Sequence, residues 1–495
     1  MFKKILVANR GEIAVRIMKT LREMDIKSVA VYSDPDEKAA HRICADQSIH
    51  IGRGEPKESY LNMKTIIRAA KESDAEAIHP GYGFLSENSH FADLCKQEGI
   101  VFIGPPAEVI RNLGDKTLAR QIMLKGKVPV TPGMSTPETD ISRLTKEAEK
   151  LGFPVLIKAA AGGGGKGMRI VHSIKEMKEA CEAAEREALK AFGNGAIYLE
   201  KYLLSPRHVE IQILADKFGN VIHLFERECS IQRRYQKIIE ESPSPALSEA
   251  LREEMGRAAV SAAKASGYVN AGTVEFLLDR DNRFYFLEVN TRLQVEHPVT
   301  EMITGLDLVR HQIEIAAGER LSLTQEDISR RGHAIECRIY GEDPENNFFP
   351  SSGKILYMKE PAGPGVRNDC GVYSGYTVPV EYDPILSKLV VHAESRILAI
   401  ERMIRALKEY AILGIKTPIP FLIDILSSEA FKEGKTTTDF IDTHFPEWRP
   451  RQKEEMLPYI AHIADECSKR SRQKETTETA GEIPSPWQTI GFYRP

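Results

Sequence analysis

The 495-residue sequence lacks the features that mark membrane and secreted proteins. No apolar run approaches the roughly 20 residues that a helix needs to cross a bilayer. The N-terminus has none of the charged start, apolar block and small-residue cleavage site of a signal peptide. These absences predict a cytoplasmic protein that has no membrane partner.

Paired cysteines and a strong net charge are also missing. The seven cysteines include no C-x-x-C pair, so we expect reduced, mostly buried thiols rather than a disulfide framework or a zinc site. A net charge of -4 gives no indication of a polyanion-binding surface, which argues against a nucleic-acid partner. The remaining class is that of a large globular enzyme.

At this length the chain exceeds what one hydrophobic core supports, so two or more cores are expected. Residues 1–113 alternate apolar runs with amphipathic segments, which predicts a doubly wound α/β domain. Its loop after the first strand lacks G-x-G-x-x-G, which weakens a nicotinamide-binding interpretation. The predicted strands are residues 4–8, 28–32, 77–79 and 101–103, and the predicted helices are residues 13–24, 61–73 and 88–98.

Three further parts are predicted after this domain. Residues 114–330 form a second domain that includes a smaller α/β unit at 130–203, and residues 331–446 form an α+β extension. Residues 447–495 contain a charged helix and then a polar linker and tail. The second domain is expected to contain strands 208–215 and 220–228, a basic loop at 231–237 and a helix over 248–266.

A predicted hairpin carries the candidate metal site. The apolar runs 272–278 and 283–290 flank a turn at Asp281-Asn282, and this register places Glu275 opposite Glu288. Val274, Phe276 and Leu278 would then share the core face with Tyr285, Leu287 and Val289. Directly opposed carboxylates repel unless a cation lies between them. With Asn290 as a third oxygen ligand, the set suits Mg²⁺ or Mn²⁺.

Polar residues continue beyond this hairpin at Arg292, Gln294 and Glu296. An extended strand would separate Glu288 from Glu296 by roughly 26 Å, too far for one coordination sphere. We therefore expect the strand to end near Thr291 and the chain to curl around a second ligand. The alternative is an ordinary half-exposed strand with alternating charges, which does not explain the opposed glutamates.

The smaller unit contains a glycine-rich run, Gly162-Gly-Gly-Gly-Lys-Gly167, between two apolar strands. Backbone N–H groups in such a run approach an anion closely, which favours a phosphate-binding flap over a flexible linker. Its spacing is not that of the P-loop motif. Lys116 and the basic residues Arg233, Arg234 and Lys237 either balance anionic substrates here or are solvated surface residues.

Five segments in this order resemble biotin carboxylase, a member of the ATP-grasp superfamily, over residues 1–446. They are Ala8-Asn-Arg-Gly-Glu-Ile-Ala14, His79-Pro-Gly-Tyr-Gly-Phe-Leu-Ser-Glu-Asn88, the tetraglycine flap, Glu226-Arg-Glu-Cys-Ser-Ile-Gln-Arg-Arg234 and Glu288-Val-Asn-Thr-Arg-Leu-Gln-Val-Glu-His-Pro298. The resemblance implies an ATP-grasp fold with a preATP-grasp domain, a glycine-flap lid and a C-terminal biotin carboxylase domain. It implies ATP and Mg²⁺ (or Mn²⁺) as cofactors and biotin as a carrier-bound substrate. Implied partners are a second copy in a homodimer, a biotin carboxyl carrier protein and a carboxyltransferase subunit.

The resemblance also implies roles for individual residues. Lys237, Arg292, Glu296 and Arg338 would be catalytic, with Glu296 as the base and Arg338 binding the biotin enolate. Bicarbonate would contact Lys237, Arg292, Gln294, Val295 and Glu296, and the metal would contact Glu275, Glu288 and Asn290. ATP would contact Lys116, Lys158, Gly162, Gly163, Gly164, Gly165, Lys166, Gly167, Glu200, Lys201, Tyr202, Leu203, His208, Gln232, Tyr235, Glu275 and Glu288. Tyr235 departs from the histidine of many relatives and is kept as a nucleotide contact.

Two alternatives remain on sequence grounds. A carbamoyl phosphate synthetase-like ATP-grasp ligase would share the hairpin and flap but would need ammonia or an amine. A non-catalytic paralogue should have lost at least one of these ligands, and none is lost. Every Met-Lys pair falls outside the context of a biotinylated lysine, so we expect biotin on a separate carrier. The tail, with Trp487, Phe492 and Tyr493, is interpreted either as a docking peptide or as a frayed terminus.

Overall fold

The structure, a computed structural model, describes residues 1–134, 136–160 and 168–450. The chain divides into Met1–Trp448 and Arg449–Pro495, and only Arg449 and Pro450 of the second unit are described. The glycine run at 162–167, the predicted helix at 452–472 and the tail therefore lie outside the described residues. Among those described, no helix has both the length and the apolar character needed to cross a membrane.

The N-terminal part is a five-stranded parallel sheet with helices between its strands, as predicted. The strand order is β3-β2-β1-β4-β5. Sequence analysis missed the edge strand β3, whose burial alternates only weakly because one side faces solvent. The elements are β1 (Lys4–Val7), α1 (Gly11–Glu23), β2 (Lys27–Ser33), α2 (Ala40–Cys44), β3 (Gln47–Gly52), α3 (Met63–Glu72), β4 (Ala77–His79), α4 (Ser89–Gln97), β5 (Val101–Phe102) and α5 (Ala107–Gly114).

A smaller antiparallel sheet follows, in the order β7-β6-β8. Val155 pairs with Val171 and Ile157 with Arg169, so the two strands that flank the glycine run form a hairpin, as predicted. Helices pack on this sheet through a separate apolar core. The elements are α6 (Lys116–Lys125), α7 (Ile141–Leu151), β6 (Val155–Ala159), β7 (Arg169–Val171), α8 (Met177–Phe192) and β8 (Ile197–Lys201).

The largest sheet has eight strands in the order β13-β12-β9-β10-β11-β14-β21-β19, and every neighbouring pair is antiparallel. This sheet crosses residue 330, where we placed a domain boundary. Its strands are β9 (Arg207–Ala215), β10 (Val221–Arg233), β11 (Gln236–Ser242), β12 (Asn270–Leu278), β13 (Phe284–Asn290), β14 (His333–Tyr340), β19 (Val366–Cys370) and β21 (Ile385–Ala393). Its helices are α9 (Glu249–Ser266), α10 (His297–Thr304) and α11 (Leu308–Ala316).

The predicted basic loop at 231–237 is wrong, because β10 runs to Arg233 and β11 begins at Gln236. Only Arg234 and Tyr235 form the turn, with φ values of 50° and 67°. Two successive residues with positive φ make the tight hairpin turn whose twist matches the strands it joins. Lys237 therefore lies on a strand of the large sheet rather than in a solvated loop.

Residues beyond 340 form small two-stranded sheets and helices beside the large sheet. One face of β14 and β21, with Ile335, Cys337 and Leu389, packs on the helix Arg396–Glu409 in a large apolar core. The remaining elements are β15 (Glu342–Asp343), β16 (Phe349–Pro350), β17 (Gly353–Lys354), β18 (Tyr357–Lys359), β20 (Thr377–Val378), α12 (Arg396–Glu409), β22 (Ala411–Leu413), α13 (Ile419–Ser427), α14 (Glu429–Lys432) and α15 (Phe440–His444).

Candidate active site

Glu275 on β12 lies opposite Glu288 on β13, as the sequence predicted. The predicted core face of β13 is wrong in part: Phe284, Phe286 and Val289 pack in the core, whereas Tyr285 and Leu287 are only partly buried. The predicted two-residue turn at Asp281-Asn282 is also wrong: the turn has three residues, 280–282, because Asp279 pairs with Arg283. A bulge at Leu287 then restores the register at the glutamates.

The row of opposed glutamates extends to a third strand. Glu210 on β9 lies opposite Glu275, so three carboxylates stand side by side across β9, β12 and β13. Sequence analysis missed Glu210, although the polar residues His208, Glu210 and Gln212 alternate with apolar ones along β9. That alternation was the available signal.

Lys237 lies among three carboxylates, those of Glu210, Glu275 and Glu296. Its Nζ donates to Glu210 Oε2 at 2.6 Å, to Glu275 Oε1 at 2.9 Å and to Glu296 Oε1 at 2.7 Å. A lysine ammonium has three N–H groups, so all three are engaged by carboxylates. Arg227, which is fully buried, donates from Nε to the other oxygen of Glu210 at 2.5 Å.

Glu275 is held by more donors than any other candidate ligand. Besides Lys237, its Oε1 accepts from Asn290 Nδ2 at 2.8 Å and Gln294 Nε2 at 3.0 Å. His208 Nε2 lies 2.9 Å from Oε2. Burial alone would favour the protonated form, but Lys237 and His208 hold the pKa of Glu275 well below its usual range.

Glu288 differs from its partner across the strands. It forms no hydrogen bond to another described residue, and it is exposed to solvent. Although part of the side chain reaches solvent, the protein that surrounds the carboxylate and then the negative charge of Glu275 raise the pKa of Glu288. A free carboxylate beside an ionised one is a donor set that fits a divalent cation with oxygen ligands. The Asn290 amide oxygen accepts from Arg292 Nη2 at 2.9 Å, so it would have to exchange that bond to act as a ligand.

The predicted curl after β13 is confirmed: the strand ends at Asn290 and α10 begins at His297. Arg292 donates from Nη1 to Gln294 Oε1 at 2.8 Å and from Nε to Glu87 Oε2 at 3.0 Å. Glu87 comes from the loop between β4 and α4, and its Oε1 also accepts from the backbone N–H of Thr291 at 3.0 Å. Glu87 was not predicted as a site residue, although it lies in the motif at residues 79–88.

Glu296, fully buried, lies between two cations. Its Oε1 accepts from Lys237, and its Oε2 accepts from Arg338 Nη2 at 3.0 Å. Burial opposes ionisation, but Lys237 and Arg338 hold the pKa of Glu296 well below its usual range. Arg338 also donates from Nε to Glu240 Oε1 at 2.6 Å, a contact that the sequence did not indicate.

The predicted phosphate-binding lysines lie on the smaller unit and at its edge. Lys158 on β6 donates to Glu200 on β8, and Arg120 Nη1 lies 3.3 Å from the same carboxylate. Burial, and then the charge of Lys158, lower the pKa of Lys116. The negative charges of Glu200 on β8 and Glu288 on β13 act in the opposite direction on the pKa of Lys116.

The remaining predicted nucleotide contacts surround this region. Lys201 ends β8 and donates to the carbonyl of Gly152 at 2.7 Å, while Tyr202 and Leu203 follow it. Gln232 Nε2 and His208 Nδ1 are 3.1 Å apart. Tyr235 is 79% exposed at the tip of the β10–β11 hairpin, which leaves its ring free for a ligand.

Three family models match the chain in consecutive segments. The N-terminal domain of biotin carboxylase matches residues 1–110, and the ATP-binding domain of the carbamoyl-phosphate synthase L chain matches residues 115–324. The C-terminal domain of biotin carboxylase matches residues 336–443. The first and third of these matches are specific to one enzyme family.

Curated relatives align over most of the chain. Biotin carboxylase 2 of Bacillus subtilis is 52% identical over 90% of this chain and all of the relative. A pyruvate carboxylase component from Methanothermobacter thermautotrophicus is 53% identical over 90% of both chains. The alpha component of mitochondrial methylcrotonoyl-CoA carboxylase from Dictyostelium discoideum is 48% identical over 99% of this chain and 70% of the relative.

Solved structures give the same result. A Campylobacter jejuni biotin carboxylase in complex with β,γ-ATP is 48% identical, with a TM-score of 0.87 over 90% of this chain and 99% of that one. The biotin carboxylase domain dimer of Hydrogenobacter thermophilus 2-oxoglutarate carboxylase, with MgADP, ADP and bicarbonate, is 48% identical. Its TM-score is 0.87 over 91% of this chain and all of that one. The fold, the motifs and the sequence identity of about one half in alignments over nine-tenths of the chain lead to one conclusion. This chain belongs to the biotin carboxylase family, whose members are ATP-dependent ligases of the ATP-grasp fold.

Proposed function

We propose that this chain carboxylates biotin on a separate carrier protein, using MgATP and bicarbonate, as the first half-reaction of a multisubunit acyl-CoA or pyruvate carboxylase. The proposal rests on the surroundings of Glu296, whose buried and ionised carboxylate is held between Lys237 and Arg338. At neutral pH this carboxylate is in the form that can accept a proton, and the two cations beside it attract the anionic bicarbonate.

Glu275 and Glu288 would hold the metal ion, with Asn290 as a supporting ligand. When bound, a divalent cation neutralises charge on the transferred phosphoryl group. Lys116 and Lys158 bind and orient the ATP phosphates, and the phosphate-binding role of the glycine run at 162–167 stays a prediction from the sequence. Glu200, Lys201, Tyr202, Leu203, His208, Gln232 and Tyr235 surround the nucleotide.

Lys237, Arg292, Gln294 and the backbone N–H of Val295 bind bicarbonate beside Glu296. Glu296 takes the bicarbonate proton as an oxygen of bicarbonate attacks the γ-phosphate, and ADP leaves with the electron pair of the broken bond. The resulting carboxyphosphate releases CO₂ and phosphate, and phosphate takes the proton of the biotin ureido nitrogen. Arg338 stabilises the negative charge that forms on the ureido oxygen before the nitrogen attacks CO₂.

Partners follow from this chemistry and from the names of the relatives. Components of pyruvate carboxylase and methylcrotonoyl-CoA carboxylase are among them, which supports partnership with a carrier protein and a carboxyltransferase subunit. A dimer is named for the Hydrogenobacter domain, which supports a homodimer here. The predicted cytoplasmic location and the predicted domain boundaries stay predictions.

The test is the co-substrate dependence of ATP hydrolysis by the purified chain. We expect hydrolysis to require bicarbonate and to be accelerated by free biotin and, more strongly, by biotinylated carrier. Hydrolysis that depends on ammonia and gives carbamoyl phosphate would favour the carbamoyl phosphate synthetase-like alternative. An absence of bicarbonate-dependent hydrolysis would contradict the proposal.

A further inference from the structure

Lys388 is a buried cation to which the proposed reaction assigns no role. It lies on β21 directly opposite Arg338 on β14, so both side chains share one face of the large sheet. Its side chain is 0% exposed. Its Nζ donates to the backbone carbonyl of Val295 at 2.8 Å. Val295 belongs to the curl between β13 and α10 that holds the bicarbonate-binding residues.

Three buried acids interact with the charge of Lys388, namely Glu12 on α1, Glu336 on β14 and Asp369, which lies opposite it on β19, but none of them accepts a hydrogen bond from its Nζ. Glu12 on α1 approaches Lys388 Nζ with Oε2 at 3.4 Å, and neither of its oxygens has a hydrogen-bond partner among the described residues. Burial raises the pKa of Glu12 to about 7, so its countercharge is incomplete at neutral pH. Across the described residues, the Val295 carbonyl is the only hydrogen-bond acceptor of Lys388.

The acids and the Tyr82 ring, whose centroid lies 5.7 Å from Nζ, offset part of the cost of burying Lys388, while its hydrogen bond is made to the curl. Transfer of an ammonium group into a protein interior is strongly destabilising without compensating partners, whereas methionine has a similar length and no charge. Elsewhere the curl is held by Thr291 and Arg292, which donate to Glu87, and by Gln294, which donates to Glu275. At Val295 the donor comes instead from β21, a strand nearly a hundred residues further along the chain.

We propose that Lys388 is a positioning residue for the bicarbonate subsite. By holding the Val295 carbonyl, it fixes the peptide that joins Val295 to Glu296. The backbone N–H of Val295 and the carboxylate of Glu296 then face the anion in a constant orientation. This inference rests on the proposed function. Positioning matters to the reaction because misplacement of reacting groups by about 1 Å is enough to lower a rate substantially.

The test compares Lys388→Met with Lys408→Met, a matched change of an exposed lysine on α12. We expect Lys388→Met to raise the KM for bicarbonate at least tenfold and to leave the KM for ATP within twofold. Lys408→Met should leave both unchanged. Glu12→Gln keeps the Lys388–Val295 contact, so its KM for bicarbonate should stay within about threefold of the wild type.

A second readout needs no substrate. Backbone amides of residues 293–297 should exchange hydrogen faster in Lys388→Met than in the wild type, with exchange in β12 and β13 unchanged. If Lys388→Met does not fold, Lys388→Gln takes its place in both measurements. Unchanged exchange at 293–297, or an equal rise in the KM values for bicarbonate and ATP, would overturn the positioning role. Loss of bicarbonate-dependent hydrolysis in the wild type would overturn the proposed function instead.

Discussion

Glu296 shows how the same two contacts set both the position and the charge of a base. Lys237 fixes one carboxylate oxygen and Arg338 the other. These cations keep the carboxylate ionised in spite of its burial, because each stabilises the charged form. The proton acceptor is therefore present at neutral pH without any substrate.

We expect Glu296→Gln to lower bicarbonate-dependent ATP turnover by roughly 10²-fold or more, since that is the usual contribution of a general base. Nucleotide affinity should stay near the wild-type value, because the amide still accepts from Lys237 or Arg338. Glu288→Lys should instead lose both turnover and metal-dependent nucleotide binding while staying folded. Measurements of equilibrium ADP binding in the presence of Mg²⁺, together with steady-state rates, distinguish the two variants. A Glu296→Gln enzyme that loses affinity as strongly as rate would argue against the base role.

Glu241 is a buried carboxylate whose role is structural. It accepts from His333 Nε2 at 2.7 Å and from Arg396 Nε and Nη2 at 2.7 and 2.9 Å. Burial opposes its ionisation, yet these donors hold its pKa at about 2. The unfolded chain should have a pKa near 4.3 at this group. Glu241 thus stabilises the fold above about pH 4.3, and this contribution is lost as the pH falls toward 2.

Glu241→Gln should therefore lower the free energy of unfolding by about 3 kcal/mol at pH 7, and the difference from wild type should narrow below about pH 4.3. Urea unfolding of the variant and the wild type at several pH values measures this difference in the free energy of unfolding. The control is Glu409→Gln, which removes an ion pair with the exposed Arg405 and should cost less than about 0.5 kcal/mol. A difference that grows as the pH falls would show that another group is responsible.

At the scale of elements, the β12–β13 hairpin links the metal site to the bicarbonate subsite. Lys237, Asn290 and Gln294 all donate to one oxygen of Glu275. A divalent cation at Glu275 competes with these donors, so Lys237 and Gln294 become available to an anion. Metal and bicarbonate should then bind with positive coupling, and the coupling must be reciprocal.

Removal of divalent metal with a chelator, at constant ADP, should accordingly weaken bicarbonate binding about fivefold or more, in the usual range of such couplings. Line broadening of ¹³C-bicarbonate measures this directly, and the EPR signal of free Mn²⁺ reports the reverse effect. In Glu288→Gln, metal binding should weaken while the three donors stay on Glu275. Equal Mn²⁺ affinity with and without bicarbonate would contradict the coupling.

At the scale of the whole molecule, separate parts of the chain meet at one loop. Arg292 and Thr291 are tied to Glu87 from the N-terminal sheet unit, and Val295 is tied to Lys388 from beyond residue 340. Glu301 on α10 accepts from Arg16 on α1 at 2.9 Å and from Arg367 on β19 at 2.7 Å. The curl between β13 and α10 is thus positioned by elements on three sides.

Glu87→Gln tests this arrangement from the N-terminal side. Replacing the carboxylate weakens its charge-assisted bond to Arg292, worth about 1 kcal/mol, so the KM for bicarbonate should rise roughly fivefold. The KM for ATP should not change, because Glu87 has no contact with the phosphate-binding lysines. Glu108→Gln, an exposed change in α5 of the same unit, is the control. If Glu87→Gln, like the control, leaves the KM for bicarbonate unchanged, the contact with Glu87 does not position Arg292 for bicarbonate binding.

What the sequence by itself determined was local and periodic. The alternation of strands and helices in residues 1–113, the hairpin around the glycine run, and the pairing of Glu275 with Glu288 all follow from patterns within a few residues. So does the end of β13 near Thr291. Spacing along the chain decides these features, since each depends on neighbours in sequence.

Only the tertiary structure decided which charged faces are buried and what satisfies them. Glu336, Arg338 and Lys388 alternate with apolar residues along β14 and β21, a pattern usually typical of a half-exposed sheet. Here both faces are buried, one against α12 and the other against α10, with α1 also packing on β21. The bulge at Leu287 and the contacts of Glu87, Glu210, Glu240 and Lys388 were not predicted either. An ion pair between residues far apart in sequence depends on distances of a few ångströms that folding alone sets, and no local pattern encodes them.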